Sequence, residues 1–305
     1  MSRFHTSRIV PLAVLELAVG LPTAAIAAPA AAATTYTITD LGSLGDGVSD
    51  GLAVNATGQV TGYSYISATI PITCPRYSTQ KKCYTHPYHA FLYGNGTMTD
   101  LGTLGGNYSQ GNAINRYGEV VGWADTKTGS ADSFLWNGKT MTDLSALGAS
   151  GINDLGQISG TCGNNPGLHA CLDSNGTITQ LPDPGTFAPI NCGGRAINNN
   201  GQIAGGCDDT SSYEHAVLWQ NGTATDLGTF GGPQASAAAI NNLGQVVGFA
   251  QTSTDADHGF LYSNGTMTDL GLNFFPAAVN DNGVIVANAY DTATYQTHAL
   301  LLNPS

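Results

Sequence analysis

From about residue 36 to residue 302 the chain alternates short β-prone runs with clusters of Gly, Asn and Asp. The runs are rich in Val, Ile, Thr, Phe and Trp, which suit a half-buried pleated strand. One clear unit has four of them, at residues 111–115, 119–123, 133–136 and 140–144. The quartet recurs along the chain. Its first two pieces are joined by an Asn-x-x-Gly turn, at Asn55, Asn115, Asn153, Asn198, Asn241 and Asn280. The glycines of these turns are spaced 60, 38, 45, 43 and 39 residues apart. All but the first spacing lie near 40, the length of a four-stranded propeller blade. The third and fourth pieces are joined by Asn-Gly, at Asn95, Asn137, Asn175, Asn221 and Asn264. That dipeptide supplies the positive φ angles of a tight hairpin.

The pattern predicts an all-β chain, a six-bladed β-propeller of four-stranded blades. The first unit is preceded by an extra strand at residues 36–41, like the fourth piece of the other units. The last unit ends at its third piece, residues 298–302. The N-terminal strand is therefore expected to complete the last blade and remove two exposed edges. The first piece of each unit is placed nearest the axis. Small residues there (Ala53, Ala113, Gly151, Ala196, Ala239 and Ala278) suit six crowded strands. The expected organisation is a signal peptide at 1–27, a short segment at 28–35 and one propeller domain at 36–305. The leader reading rests on Arg3 and Arg8 before an apolar run, with small residues at Ala25 and Ala27. No later run is long enough to span a membrane.

Composition narrows the partners. The chain has 9 basic and 21 acidic residues, a formal charge of −12. Nucleic acid is excluded as an expected partner, because phosphate binding needs a basic face. Forty of the 305 residues are Gly, too many for long helices. Six cysteines in an exported chain are expected to pair. Cys162 and Cys171 are symmetric about a turn at residues 165–168, and Cys192 and Cys207 about residues 198–201. Opposed strand positions lie within disulfide reach, which leaves Cys74 with Cys83. No metal or cofactor motif is present.

Several motifs resemble the HAF repeat of bacterial extracellular proteins. They are Leu101-Gly-Thr-Leu-Gly-Gly106, Ala113-Ile-Asn115, Gly244-Gln-Val-Val-Gly248, His89-Ala-Phe-Leu-Tyr93 and Met98-Thr-Asp-Leu-Gly102. The resemblance covers roughly residues 36–302. It implies an exported bacterial protein and brings no defined activity.

Features repeated in every unit read as scaffold. His89, His169, His215, His258 and His298 open the third pieces, as structural hydrogen-bonding groups. The repeated Asn residues cap their own turns. The Thr-Asp pairs ending at Asp100, Asp143, Asp226 and Asp269 are expected to work between blades. Glu119 stands where Gln59, Gln157, Gln202 and Gln245 stand and reads as a repeat variant. Glu214, with Asp208 and Asp209, reads as solvated loop acids rather than an acid pair or calcium ligands.

Function is expected where the repeat breaks. The loop at residues 66–88 is about fifteen residues longer than its counterparts. It carries Arg76, Tyr77, Lys81, Lys82, Tyr84, His86 and Tyr88, beside Tyr63 and Tyr65. Tyr gives rigid amphipathic contact area and Arg a planar donor fork. Arg76, Tyr77, Lys81, Tyr84, His86 and Tyr88 form the candidate ligand-binding set, with a glycan or a protein as the extracellular partner. The alternative is a polysaccharide-degrading enzyme on the same face, with a Tyr and His pair moving the proton and Arg76 neutralising a uronate.

Overall fold

The computed structural model describes residues 39–45, 47–72, 83–163, 167–272, 274–291 and 296–304, and among the described residues it has twenty-five strands and no helix. Leu41–Ser305 forms one compact unit; of the other, Met1–Asp40, only Thr39 and Asp40 are described. The chain is a six-bladed β-propeller. Blade 1 is built from Ser49–Val54, Val60–Tyr65, Tyr88–Gly94 and Thr97–Gly102. Blade 2 uses Gly105–Ile114, Val120–Thr126, Ala131–Trp136 and Met141–Asp143. Blade 3 uses Gly148–Ile152, Ile158–Cys162, His169–Ser174 and Thr177–Gln180. Blade 4 uses Asn191–Ile197, Ile203–Asp208, Glu214–Gln220 and Thr223–Asp226. Blade 5 uses Gly231–Ile240, Val246–Thr252, Asp257–Ser263 and Thr266–Leu272. The sixth sheet has three strands among the described residues: Phe274–Val279, Ile285–Asp291 and Gln296–Leu302. The expected leader, the 28–35 segment and residues 36–38 of the expected closing strand lie outside the described residues; Thr39, Asp40 and Leu41 are described and belong to no strand.

The strand order follows the prediction. The ends of the first strands from all six blades surround one axial cavity of about 490 Å³, lined by a ring of Asn55, Asn115, Asn153, Asn198, Asn241 and Asn280. Each of these Asn residues caps its own turn through Oδ1, as Asn153 does for the amides of Leu155 and Gln157. In blades 1 to 5 the Nδ2 group does more. It donates to the residue four positions on (Gln59, Glu119, Gln157, Gln202 or Gln245) at 2.6–2.8 Å. It also donates to the next blade's Asn carbonyl. These links run Asn55 to Asn115, to Asn153, to Asn198, to Asn241 and to Asn280. A second seam lies one residue further on. There the amides of Arg116, Asp154, Asn199 and Asn242 donate to the side chains of Asp154, Asn199, Asn242 and Asp281.

Every first strand also carries one extra residue that interrupts its register: Leu52, Asn112, Ser150, Arg195, Ala238 and Ala277. This bulge explains the Gly of the second strand. A Cβ at Gly122 would lie 1.9 Å from the carbonyl oxygen of Gln110, so Gly leaves room there for the bulged strand. Gly62, Gly160, Gly205 and Gly248 meet the same obstruction at 1.9–2.2 Å, whereas the sixth sheet carries Ala287 at this place, opposite Pro276.

The core consists of slabs between neighbouring blades. Ala90 and Leu101 of blade 1 pack with Val120, Ala124 and Phe134 of blade 2. Phe91, Phe134 and Phe260, each in its blade's third strand, are essentially fully buried. Each such ring contributes roughly 1.5–3 kcal/mol by leaving water.

Four of the five Asn-Gly hairpins have positive φ at both residues, at Asn95, Asn175, Asn221 and Asn264. Asn137 differs. That connection is as long as the others, with Trp136 pairing Met141 as Tyr93 pairs Met98, but its Asn-Gly sits one residue earlier; Asn137 Oδ1 instead accepts from the amides of Lys139 and Thr140. The bonds Cys162–Cys171 and Cys192–Cys207 are present. Cys192 faces Cys207 directly. The register expected for the other pair is corrected: Cys162 faces His169 and Cys171 faces Gly160, so this bridge runs diagonally. Cys74 lies outside the described residues, and with it the expected third pairing.

Asn153→Ala removes both the turn cap and the link to blade 4. Loss of about 2–4 kcal/mol is expected, since several polar groups lose partners at a buried site; equilibrium urea unfolding measures it. Gly122→Ala should cost about 1–3 kcal/mol or more through overpacking against Gln110. Its expected signature is a lower midpoint with an unchanged m-value.

Candidate functional site

The long insertion in blade 1 leaves the sheet between Tyr65 and Tyr88, which face each other across the second and third strands. Its base is a two-stranded ribbon, Ile70–Ile72 with Cys83–Thr85. Tyr84 sits on this ribbon opposite Pro71 with about half its surface exposed. Arg76, Tyr77 and Lys81 lie outside the described residues. His86 is partly buried beside the ribbon.

Tyr88 is the centre of an aromatic cluster. Its ring centroid lies 5.0 Å from Tyr63, 5.5 Å from Tyr65, 4.9 Å from Tyr108 and 6.2 Å from Trp123. The Trp123 contact is edge-on and the others are tilted, geometries that aromatic quadrupoles favour. All five rings are partly exposed. Tyr63, Tyr65 and Tyr88 belong to blade 1, whereas Tyr108 and Trp123 belong to blade 2. The cluster thus bridges two blades on the face that carries the loops between second and third strands. Alternation fixes its makeup: Tyr63 and Tyr65 are two apart and share one side of their strand.

Two carboxylates border the rings. Tyr63 donates its hydroxyl to Asp50 Oδ2 at 3.4 Å. Burial and then the Asp50 charge push the Tyr63 phenol above its ordinary value of 10.0. Burial, then Tyr65, Tyr108 and the Asp125 charge do the same for Tyr88. Both phenols therefore stay neutral donors at physiological pH.

Sequence reasoning named Tyr84, His86 and Tyr88, with Tyr63 and Tyr65 beside them. It missed Tyr108 and Trp123, which reach the site only because blade 2 packs against blade 1. Aligning the repeats would have pointed to Trp123, which occupies the place in blade 2 that Tyr63 occupies in blade 1.

The repeated His residues join Asp partners within their own blades. His89 Nδ1 meets Asp100 at 2.9 Å and His258 Nδ1 meets Asp269 at 2.8 Å. His215 contacts Asp226 at 3.4 Å and His169 contacts Asp183 at 3.7 Å. Asp100, Asp226 and Asp269 also accept from the amides of Gly102, Gly228 and Gly271. Asp226 accepts as well from Thr186 in the link between blades 3 and 4, where the motif was expected to work. The Asp of the motif thus closes the outer edge of its own blade. The register brings it there, since Asp100 and Phe91 are paired strand neighbours.

Glu214 departs from its expected role. It is no solvated loop acid: its Oε1 lies 2.5 Å from Arg195 Nη1 and accepts from Ser236 at 3.1 Å. Asp209 caps the amides of Ser211 and Tyr213; these bonds, led by the one from Tyr213, hold its carboxyl below the ordinary range.

No protein-family model matches the sequence, and no curated protein matches it. Solved structures similar to it are propellers. TolB from Acinetobacter baumannii is 12% identical with a TM-score of 0.51, the match covering 81% of this chain and 61% of that one. An acylaminoacyl peptidase from Pyrococcus horikoshii is 12% identical with a TM-score of 0.50, covering 84% of this chain and 44% of that one. A six-bladed lectin from Aleuria aurantia is 13% identical with a TM-score of 0.41, covering 82% and 89%. The chain thus spans about three-fifths of TolB and under half of the peptidase. These likenesses concern the fold.

Burial raises the Asp100 pKa, but the His89 and Gly102 hydrogen bonds outweigh it and hold the group below 3.8. A carboxyl depressed on folding stabilises the native state above its ordinary pKa, and that contribution is lost as pH falls through the folded pKa. Asp100→Asn should therefore lower Tm at neutral pH. The gap from wild type should narrow as pH drops below about 4, as a pH series of thermal melts would show.

Proposed function

We propose that this protein is an exported binding module that takes neutral glycan chains on the loop face of blades 1 and 2. The observation that carries the reading is the partly exposed cluster of Tyr63, Tyr65, Tyr88, Tyr108 and Trp123 bordered by Asp50 and Asp125. Aromatic faces accept the C–H side of a sugar ring at low entropic cost, because Tyr and Trp have few rotatable bonds. The bordering carboxylates accept sugar hydroxyl groups and disfavour an anionic polymer. The ribbon carrying Tyr84 belongs to the insertion that leaves the sheet between Tyr65 and Tyr88, two members of this platform. Two disulfides fit an oxidising compartment, extracellular or periplasmic, and the leader expected at residues 1–27 accords with export.

Affinity electrophoresis of the oxidised protein through gels holding neutral or acidic polysaccharides tests this reading. Retardation by a neutral polymer, weakened about tenfold or more by Tyr88→Ala, is the expected result. Trp123 fluorescence should shift on binding. Retardation only by acidic polymers, or none at all, would remove the proposal. Release of new reducing ends would favour the enzymatic alternative.

A further inference from the structure

The aromatic platform occupies a place that the repeat offers between other blades too. Strand register gives the equivalences. Tyr63 of blade 1 pairs with Ala90, and Thr161 of blade 3 pairs with Ala170. Thr161 thus takes the place of Tyr63, and Leu168, one residue before His169, takes the place of Tyr88. In blade 2, Ser109 pairs with Ala124; in blade 4, Cys192 pairs with Cys207. Asn191 therefore stands for Tyr108, Gly206 for Trp123 and Asp208 for Asp125. Between blades 3 and 4 four of the five aromatic positions have thus become Thr, Leu, Asn and Gly.

Their loss leaves a cavity of about 250 Å³. That is below the roughly 300–1,000 Å³ of drug-sized pockets and leaves room for one small ring. Thr161, Asn191 and Asp208 line it, with Arg195 and Glu214. Arg195 is the bulge residue of blade 4, a position filled by Ala238 and Ala277 in the next two blades. Glu214 lies over Gly206, where a Cβ would meet its Oε1 at 2.0 Å. So the Gly that replaces Trp123 also makes room for the carboxylate. Arg195 and Ser236 of blade 5 both bind Glu214 Oε1, which fixes the ion pair in place.

We infer that this cavity is a second, separate binding site, and that it takes a single neutral sugar residue or similar polyol. Donors and acceptors alternate around it. The Arg195 fork can donate to ring or hydroxyl oxygens, while Glu214 and Asp208 accept from vicinal hydroxyls. An anionic sugar meets two carboxylates against one guanidinium that is already paired. The aromatic platform suits the face of a longer chain; this cavity suits hydrogen-bonded recognition of one unit. The inference shares the assignment of saccharide to the loop face but depends on different residues.

Saturation-transfer NMR on the full, oxidised protein with a panel of neutral methyl hexopyranosides, plus methyl glucuronide and glucosamine, tests it. At least one neutral hexoside should bind, with affinity reduced about tenfold or more in both Arg195→Ala and Glu214→Gln. Thr161→Tyr restores the blade 1 residue and should fill the cavity, abolishing binding while near-ultraviolet circular dichroism stays native. Tyr88→Ala should weaken polymer retardation and leave hexoside binding intact, so the two sites fail separately. Binding by no neutral hexoside, preference for a charged sugar, or affinity unchanged in folded Arg195→Ala and Thr161→Tyr would overturn the inference.

Discussion

One carboxamide group holds the ring together. In blades 1 to 5 the Asn at the end of the inner strand uses Oδ1 to close its own turn and Nδ2 to bind the next blade. The Gln four residues later accepts one Nδ2 hydrogen, which leaves the other aimed across the seam. Ser, Thr and Asp could cap the turn, but none carries an acceptor and a two-hydrogen donor on one short stem. Gln has the same groups but is one methylene too long for its own turn. The ring therefore propagates through a residue that appears, in any single unit, to be an ordinary turn former. At Asn115, Asn153, Asn198 and Asn241 these groups are buried, so leaving one unpaired is costly.

The bulge and its facing Gly form a second repeated device. The extra residue twists the inner strand and interrupts its pairing. In blades 1 to 5 the carbonyl two residues before it then crowds the second strand, at a position held by Gly. Neither device constrains the bulge residue itself, which ranges from Leu52 to Arg195 to Ala277. Nor do they constrain the ends of the second and third strands. The scaffold is thus fixed at one end of each blade and free at the other, and the binding chemistry proposed here occupies the free end.

The repeat period, strand order and axial position of the small residues could be read from spacing and residue size, because these report local geometry. The hairpin at Asn137 could also have been read, since its Asn-Gly follows the Leu of the third piece one residue sooner than in the other units. The diagonal Cys162–Cys171 bridge could not be placed by symmetry, because register depends on the paired strands rather than on the loop between them. His and Asp partners eleven residues apart were each recognised as repeated but were not joined. Tyr108, Trp123 and Arg195 act across a blade boundary or through a bulge, and linear spacing carries neither. Aligning units by hydrogen-bond register recovers them.

The two described disulfides lie in the two blades that depart furthest from the repeat. Blade 4 has Gly193, Gly194, Gly205 and Gly206 along its first two strands, where side chains would otherwise pack and stiffen the sheet. The buried Phe of blades 1, 2 and 5 becomes Cys171 in blade 3 and Val217 in blade 4. Both changes remove apolar burial from the region that holds the cavity. Cys192–Cys207 spans the Gly-rich strand pair, and a loop of that length is worth about 3 kcal/mol in the chain-entropy account. That is comparable to one large buried side chain. A crosslink adds this stability without refilling the space the missing side chains left open. Covalent restraint thus replaces packing where packing would close the site.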